Sequence, residues 1–379
     1  MDFRLKDEHL MVQKLFREFA NNEVKPIAQE IDENHRFPVE TVAKMQKLGF
    51  LGIPFSREYG GQGCDFFTYV LAMEEISKVC TTTASILSAH TSLAAMPIDV
   101  FGTIEQKEKF LRPLVSGEKL GAFGLTESEA GTDAANQQTT AILDGDEYVL
   151  NGNKIFITNA GPADIYIVIA VTNRALGRQG ISAFIVEKNI PGFEIGHREK
   201  KMGIRASATS ELIFTDCRIP KENLLGGLGH GYKIAISTLD SGRIGIAAQA
   251  VGIAAGALEK TVEYVNQRKQ FGRPIAKFQN TQFTIADMAT EVEAARMLVY
   301  KAAYAKSVQK HYSLEAAMAK LKASEVASYV TNRAVQLHGG YGFIQDYDVE
   351  RMMRDAKITE IYEGTSEVMR MVVGSTILG

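Results

Sequence analysis

Cysteine and net charge are both scarce in this sequence. Its three cysteines, Cys64, Cys80 and Cys217, lie far apart and form no Cys-x-x-Cys pair. Because disulfides belong to oxidising compartments, such a chain is expected in a reducing cytoplasm. Lys and Arg number 42 and Asp and Glu 45, which leaves a net charge of −3. So small a charge argues against nucleic acid or an anionic membrane as the main partner.

Long hydrophobic runs and an export signal are missing as well. The uncharged stretch 244–258 is too short to span a bilayer and is interrupted by Gly245, Gly252 and Gly256. It predicts a buried helix and no membrane span. Charges occur throughout the first 19 residues, which is not typical of a signal peptide.

The motifs of several common chemistries are absent. There is no Gly-x-x-x-x-Gly-Lys phosphate loop, no His-Glu-x-x-His zinc motif and no Gly-x-Ser-x-Gly nucleophile elbow. The seven histidines are scattered, and a lone histidine is more often a surface or core residue than a ligand, so no metal site is predicted. The glycine-rich run 226–231 lacks the spacing of a dinucleotide fingerprint and is interpreted as a loop.

Three regions with different periodicity follow one another along the 379 residues. Residues 1–117 have helical spacing, residues 118–225 alternate with a period of two, and residues 226–379 return to helical spacing. This order predicts an α+β protein with a helical domain, an antiparallel β domain and a second helical domain, packed together as one body.

Local signals mark several elements of the first two regions. One helix is expected to begin at Pro38 and end at Gly49. The segment from Thr103 to Gln106 predicts a capping box. The pairs Asp144-Gly145 and Asn151-Gly152 are expected to form tight hairpin turns.

Two long helices are predicted in the third region. Apolar residues recur at steps of three and four from Ile285 to Ala302, which indicates one buried stripe. A further helix is expected to run from a cap at Ser313 to a break at Gly339-Gly340.

Four segments have both a structural and a functional interpretation. The segment 123–133 is either a capped loop or a set of donors for a polar ligand. The glycines that end 336–340 either stop a helix or admit another group, and Arg268 in 267–273 either complements a helix dipole or binds phosphate. In 361–365, Glu363 is either a surface residue or a desolvated base with a raised pKa.

Together these segments resemble the acyl-CoA dehydrogenase family, and the short-chain (butyryl-CoA) branch is the most similar. The resemblance extends over the whole chain. The residues that carry it are Phe123 to Glu127, Ala130 to Asp133, Lys154 to Thr158, Asp240 to Arg243, Arg268 to Gly272, Gln336 to Gly340 and Arg354 to Thr365.

The resemblance implies a helical domain, a β domain and a C-terminal four-helix bundle, and an enzyme that binds FAD. Such an enzyme oxidises a short-chain acyl-CoA to the trans-2-enoyl-CoA, or runs in reverse, and exchanges electrons with electron-transferring flavoprotein. Glu363 matches the family's catalytic base. The resemblance also implies contacts with the acyl-CoA substrate at Thr132, Asp240, Ser241, Gly242, Arg243 and Gly364.

Cofactor contacts are implied for a larger set of positions. Those expected within one subunit are Phe123, Leu125, Thr126, Gly131, Thr132, Phe156, Ile157, Thr158, Thr365, Ser366 and Glu367. Those that in the family reach the cofactor of a neighbouring subunit are Arg268, Phe271, Gln279, Gln336, Leu337, His338, Gly339 and Gly340. The second set implies at least a dimer, and the family's usual homotetramer, a dimer of dimers, is expected.

Departures from the family pattern limit the alternatives. Ser128 stands where many relatives have proline and Phe156 where many have tryptophan, and neither change removes a needed functional group. Gly242 occupies the position at which some branched- and long-chain members carry the base. The remaining alternatives are a medium- or branched-chain dehydrogenase, an acyl-CoA oxidase, and a non-catalytic acyl-CoA or flavin-binding protein of the same fold.

Overall fold

A computed structural model of the chain describes residues 5–379, so the first four residues of the predicted N-terminal domain lie outside it. The N-terminal region is helical. Its helices are α1 (Asp7–Phe19), α2 (Ala28–Glu33), α3 (Val39–Lys47), α4 (Phe66–Ser77), α5 (Thr81–Ser88), α6 (Met96–Phe101), α7 (Ile104–Gln106) and α8 (Arg112–Val115). A π-helical turn, Ala89–Ala95, joins α5 to α6 without a break.

The signals in this region are confirmed. Helix α3 begins directly after Pro38, and Gly49 follows it with a φ of 73°. The Thr103 hydroxyl accepts a hydrogen bond from the Gln106 N–H, and the Gln106 side chain accepts one from the Thr103 N–H. This reciprocal pair is a capping box.

The middle region is one eight-stranded sheet. Its strands are β1 (Gly121–Gly124), β2 (Thr140–Asp144), β3 (Glu147–Thr158), β4 (Ile165–Val171), β5 (Ile181–Glu187), β6 (Phe193–Arg198), β7 (Thr209–Pro220) and β8 (Leu224–Leu225). They follow the order β6-β7-β3-β2-β4-β5-β8, with β1 paired to β4.

The sheet is mixed, whereas the sequence predicted an antiparallel one. Strand β1 runs parallel to β4, and β2 also meets β4 in parallel. All seven residues of β4 are buried, as expected of a strand that is covered on both faces. Its odd-numbered isoleucines belong to the core shared with the helices, and Tyr166 and Val168 belong to a second core on the other face.

One of the two predicted hairpin turns is wrong. Gly145 has a φ of 65° in the turn between β2 and β3, as expected. Asn151-Gly152 instead lies inside β3, where the pairing with β7 shifts register between Leu150 and Gly152. A Cβ on Gly152 would fall 2.7 Å from the Thr139 Cα, so the glycine permits a β-bulge beside a close backbone.

The C-terminal region contains three long helices, two shorter helices and a small hairpin. The helices are α9 (Gly231–Gln267), α10 (Gln279–Val308), α11 (Ser313–His338), α12 (Val349–Ala356) and α13 (Ser366–Leu378), and the hairpin is β9 (Lys269–Gln270) with β10 (Arg273–Pro274). Helices α9, α10 and α11 pack on one another, and the shorter α12 and α13 pack against α11.

Helix α9 lies at the centre of the molecule. By length and composition alone it could cross a membrane, but 94% of its most apolar 18-residue window is buried inside the protein. The core of a folded body explains its apolar character. The expected buried stripe of α10 is present, since Met288, Val292 and Val299 are nearly inaccessible.

The predicted cap at Ser313 is wrong. Tyr312 occupies the N-cap position of α11 and makes no side-chain cap bond. The Ser313 hydroxyl instead donates to the Asp240 carboxylate on α9. A tertiary contact has taken the place of the local one.

Candidate active site

Glu363 lies in a short turn that precedes α13. Its φ is 54°, and Gly364 after it has a φ of 104°. A non-glycine residue in this left-handed region costs about 1 to 3 kcal/mol. The turn ends at Thr365, whose hydroxyl caps α13 by accepting from the Val368 N–H at 3.3 Å. Neighbouring side chains must therefore hold Glu363 in place.

Two buried cations contact the backbone of this turn. Arg243 on α9 donates from Nε to the Glu363 carbonyl oxygen at 3.1 Å. Lys320 on α11 donates from Nζ to the Gly364 carbonyl oxygen at 2.6 Å. Asp240, one helical turn before Arg243, accepts from its Nη1 at 2.7 Å. The turn is thus fixed from two helices.

The Glu363 carboxylate points into the protein. The residue as a whole is half-buried, but Oε2 is inaccessible and, among the described residues, has no hydrogen-bond partner. Burial raises the pKa of Glu363 to about 8, while the positive charges of Arg243 and Lys320 act in the opposite direction. A carboxyl with this pKa changes its protonation state near neutral pH, which suits a general base.

Glycine at position 242 provides the room for this carboxylate. A Cβ built on Gly242 would lie 2.0 Å from Glu363 Oε2 and 2.9 Å from Leu93 Cδ2. Any side chain here would displace Glu363. Gly242 therefore contributes space rather than a functional group.

Polar groups hold the neighbouring helices together behind the carboxylate. The Tyr362 hydroxyl donates to Gln249 Oε1. The Gln249 amide in turn donates to Ser85 Oγ at 2.7 Å and to the Thr81 carbonyl at 3.0 Å. These bonds join the turn and α9 to α5.

The segment from α5 to α6 also connects this cluster to the sheet. His90 Nδ1 accepts from the Gly121 N–H of β1 at 3.1 Å, and burial lowers the pKa of His90 to about 4, which keeps the ring neutral. Asn159, after β3, donates from Nδ2 to the Ile86 carbonyl at 3.1 Å and the Gly121 carbonyl at 3.2 Å. The end of the sheet thus contacts this helical segment directly, and the turn that contains Glu363 is connected to the same segment through Tyr362 and Gln249.

The predicted flavin segments meet at that end of the sheet. Phe123 and Leu125 are buried, and the Thr126 carbonyl accepts from the Ile155 N–H at 2.8 Å. This bond places the loop after β1 beside the end of β3. There Phe156 has a φ of 60° and is 59% exposed, so a large aromatic side chain is presented to the outside.

The remaining members of these segments differ in environment. Thr158 is half-buried and Ile157 is buried, whereas Gly131 and Thr132 are exposed. A Cβ on Gly131 would meet nothing within 4 Å. The backbone there is open to another molecule.

A buried ion pair supports the loop after β1. Lys154 Nζ lies 2.6 Å from Glu127 Oε1, and the Glu127 carboxylate also accepts from the Thr139 N–H at 3.1 Å. Burial lowers the pKa of Lys154 to about 8. Both side chains are nearly inaccessible, so the pair fixes the loop from within.

A separate cavity contains most of the residues predicted to reach a second subunit. It measures about 440 Å³. The predicted residues that line it are Arg268, Gln336, Leu337, His338, Gly339 and Gly340. Phe271 and Gln279 are exposed and are not part of the lining, and Phe271 is 93% exposed.

The predicted substrate-contact residues on α9 make contacts within the protein that the sequence did not indicate. Asp240 and Arg243 form a buried ion pair, and Arg243 holds the carbonyl of Glu363. Ser241 accepts from Lys306 Nζ at 2.7 Å. At the start of α13, Ser366 is buried and Glu367 is exposed.

Sequence reasoning missed Lys320. It lies on the buried face of α11 with Ala316, Ala319 and Ala323, all inaccessible. A lysine within an alanine stripe was the available signal, because a buried ammonium requires a partner. Within residues 5–379, no group of three or more His, Cys, Asp or Glu side chains is arranged to hold a metal ion.

Comparison with known families covers nearly the whole chain. Residues 6–118 match the N-terminal domain of acyl-CoA dehydrogenases, residues 122–217 the middle domain and residues 229–378 the C-terminal domain.

Individual relatives match over their full length. The chain is 59% identical, over 377 residues and 100% of both chains, to a short-chain specific acyl-CoA dehydrogenase of Clostridium acetobutylicum. The structure of butyryl-CoA dehydrogenase from Megasphaera elsdenii superposes with a TM-score of 0.98 at 52% identity, over 100% of both chains. A chain from a study of the electron transferring flavoprotein of Acidaminococcus fermentans and flavin-based electron bifurcation superposes with a TM-score of 0.99 at 56% sequence identity, again over 100% of both chains.

Proposed function

The chain belongs to the acyl-CoA dehydrogenase family, and from this premise we propose that it dehydrogenates a short-chain acyl-CoA with Glu363 as the base. Members of this family are flavoprotein oxidoreductases, and the cofactor of this chain is FAD. The observation that carries the proposal is the buried, unpaired Glu363 carboxylate with a pKa raised to about 8.

Glu363 removes a proton from the α carbon of the thioester. In its carboxylate form Oε2 has no competing hydrogen bond from the described residues, so the base is available to substrate. The backbone N–H of Glu363 is proposed to donate to the thioester carbonyl, which stabilises negative charge as the α proton leaves. In the reverse direction the same carboxyl returns the proton.

The residues at the end of the sheet fit a flavin. The exposed ring of Phe156 offers an aromatic surface, Thr126 and Thr158 offer hydroxyls beside it, and the open backbone at Gly131 admits another molecule. When bound, FAD supplies the acceptor for the hydride that leaves the β carbon. Thr365, Ser366 and Glu367 are proposed as further contacts at the start of α13.

The second cavity fits the more polar part of the same cofactor. Arg268 provides a cation that can bind a phosphate, and a Cβ on Gly339 or Gly340 would meet nothing within 4 Å, so the backbone there leaves room for another group. We propose that this cavity, with Phe271 and Gln279 beside it, serves the cofactor of a neighbouring subunit.

Assembly and partners follow from the same premise. We propose a homotetramer, a dimer of dimers, supported by large apolar side chains that remain exposed near this cavity, such as Phe271 and Phe343. Electrons are proposed to pass to electron-transferring flavoprotein, in keeping with the Acidaminococcus fermentans study. A cytoplasmic location is proposed from the bacterial relatives. On the substrate side, Thr132 is a proposed contact with the CoA part.

The proposal is tested by anaerobic mixing of the FAD-loaded protein with butyryl-CoA. Wild-type protein is expected to lose its visible flavin band rapidly. Glu363→Gln keeps the shape of the side chain but removes the base, so it is expected to retain FAD and reduce it at least 1,000-fold more slowly, roughly the contribution of a general base. A Glu363→Gln variant that bleaches at near the wild-type rate would overturn the assignment.

A further inference from the structure

We propose that Lys320 is a positioning residue for the catalytic base, holding the Gly364 carbonyl and thereby the backbone turn that presents Glu363. The inference rests on the proposed function, since it gives Lys320 a role only if Glu363 is the base.

Its first support is the geometry of the turn. Glu363 and Gly364 both have positive φ values, so the turn is not fixed by ordinary backbone preferences. The Glu363 carbonyl is held by Arg243 and the Gly364 carbonyl by Lys320. Loss of the Lys320 contact would leave the turn held at one carbonyl only, and the carboxylate free to shift.

The second support is the burial of the lysine. Lys320 is fully inaccessible on α11, and its hydrogen bond of 2.6 Å is made to a backbone oxygen of the active-site turn. An ammonium is costly to bury unless its charge is used. Burial lowers the pKa of Lys320 to about 8, and the negative charge of Glu363 partly opposes this.

The charge of Lys320 also acts on the base. It lowers the pKa of Glu363, as does the charge of Arg243. The other titratable or charged groups that face the pair are Asp240 on α9, Tyr69 on α4, Tyr362 and Glu360 in the preceding segment, and Glu367 on α13. Removing the positive charge of Lys320 therefore raises the pKa of Glu363. As the pH is lowered, the base is then protonated earlier, so the rate of proton removal begins to fall at a higher pH than in the wild type.

Two substitutions separate the contact from the charge. Lys320→Met removes both, and Lys320→Gln removes the charge but keeps an N–H donor. Lys322→Met is the matched control, because Lys322 lies on the same helix, is partly exposed and pairs with Glu291 away from the turn. FAD content and thermal midpoint are measured first, to identify variants that fold and load.

The readouts are the rate of anaerobic flavin reduction by butyryl-CoA between pH 6 and 9, and the isotope effect with α-deuterated butyryl-CoA. For Lys320→Met we expect a rate about 10- to 100-fold lower, a larger isotope effect, and an acid limb shifted up by about one pH unit. Lys320→Gln should show the same pH shift with a smaller loss of rate. Lys322→Met should match the wild type.

The inference is overturned if a folded, FAD-loaded Lys320→Met protein has the wild-type rate, isotope effect and pH profile. If Lys320→Met does not fold, Lys320→Gln decides, and a wild-type rate, isotope effect and pH profile in that variant overturn it. Glu363→Gln separates this failure from that of the proposed function. An inactive Glu363→Gln beside normal Lys320 variants refutes the positioning role alone, whereas an active Glu363→Gln refutes the base itself.

Discussion

Glu363 combines a strained backbone with an enclosed carboxylate. The positive φ places the side chain against Gly242, and the absence of a Cβ there admits Oε2. The raised pKa follows from this enclosure, because burial disfavours the charged form of a carboxyl. The position and the pKa of the Glu363 carboxylate thus depend on the same contact.

A single methyl group at position 242 should therefore impair catalysis. Gly242→Ala would bring a Cβ to 2.0 Å from Glu363 Oε2, so the carboxylate must move. We expect flavin reduction by butyryl-CoA to slow by about 100-fold, with FAD still bound. Gly374→Ala in α13 is the control, since a Cβ there meets nothing within 4 Å. Equal rates for Gly242→Ala and wild type would refute this steric account.

The reaction should also respond to pH through the base. With a folded-state pKa of about 8, Glu363 is mostly protonated below that pH and becomes an active base above it. At limiting butyryl-CoA, the rate of flavin reduction should rise about tenfold per pH unit below pH 7 and level off above pH 8. Stopped-flow absorbance from pH 6 to 9 measures this. A rate that is flat over the whole range contradicts the raised pKa.

At the scale of elements, the loop after β1 depends on a pair of opposite charges. Lys154 comes from β3 and Glu127 from the loop, and both are buried. Neither charge is tolerated there without the other. The loop that presents Thr126 is held by this pair rather than by regular secondary structure.

Removing one partner should destabilise the protein. Glu127→Gln leaves the Lys154 ammonium buried without its counter-charge, at a cost of about 3 to 5 kcal/mol in the free energy of unfolding. Glu127→Leu combined with Lys154→Met removes both charges and should recover most of the loss. Chemical denaturation of the three proteins checks this. Arg218→Met, which breaks an exposed pair with Asp144, is the control and should leave the midpoint unchanged.

Periodicity and caps predicted most of the elements, and the misses have a common cause. The boundaries of α3 and the buried stripe of α10 follow from local spacing, which the chain itself encodes. Asn151-Gly152 became a bulge and Ser313 a partner of Asp240 because β7 and α9 pack against them. Contacts between distant segments cannot be derived from turn or cap propensities.

At the scale of the whole molecule, the residues proposed to bind FAD fall into two separate groups. One group lies at the end of the sheet that contacts the α5–α6 segment, and the other lines the cavity formed by Arg268 and the end of α11. The Arg268 guanidinium lies 5.3 Å from the centroid of the Tyr341 ring, and both residues line the cavity. Because the cavity of each subunit is proposed to serve the cofactor of a neighbouring subunit, FAD binding and subunit assembly should depend on each other.

Arg268→Ala should weaken both together. We expect FAD affinity to fall about tenfold, equivalent to about 1.4 kcal/mol, with a lower molecular mass in analytical ultracentrifugation. Arg273→Ala is the control, because Arg273 stacks on Phe278 and does not line the cavity. Normal FAD content and mass in Arg268→Ala would refute the shared role.

Family resemblance predicted the candidate site more fully than the residues alone did. Glu363 stood out as a carboxylate among small and apolar neighbours, and Gln336 to Gly340 as a helix end. The contacts made by Arg243 and Lys320 could not be predicted, because they join α9 and α11 to a turn more than 40 residues away along the chain. Only the packing of the helices brings those cations to it.

The most direct test of the central claim is the visible spectrum of the purified protein during anaerobic addition of butyryl-CoA and, in a separate sample, octanoyl-CoA. We predict a flavin band that butyryl-CoA bleaches faster and more completely than octanoyl-CoA does. Bleaching by octanoyl-CoA alone would contradict the short-chain assignment. A protein that takes up no flavin on reconstitution would contradict the dehydrogenase function itself.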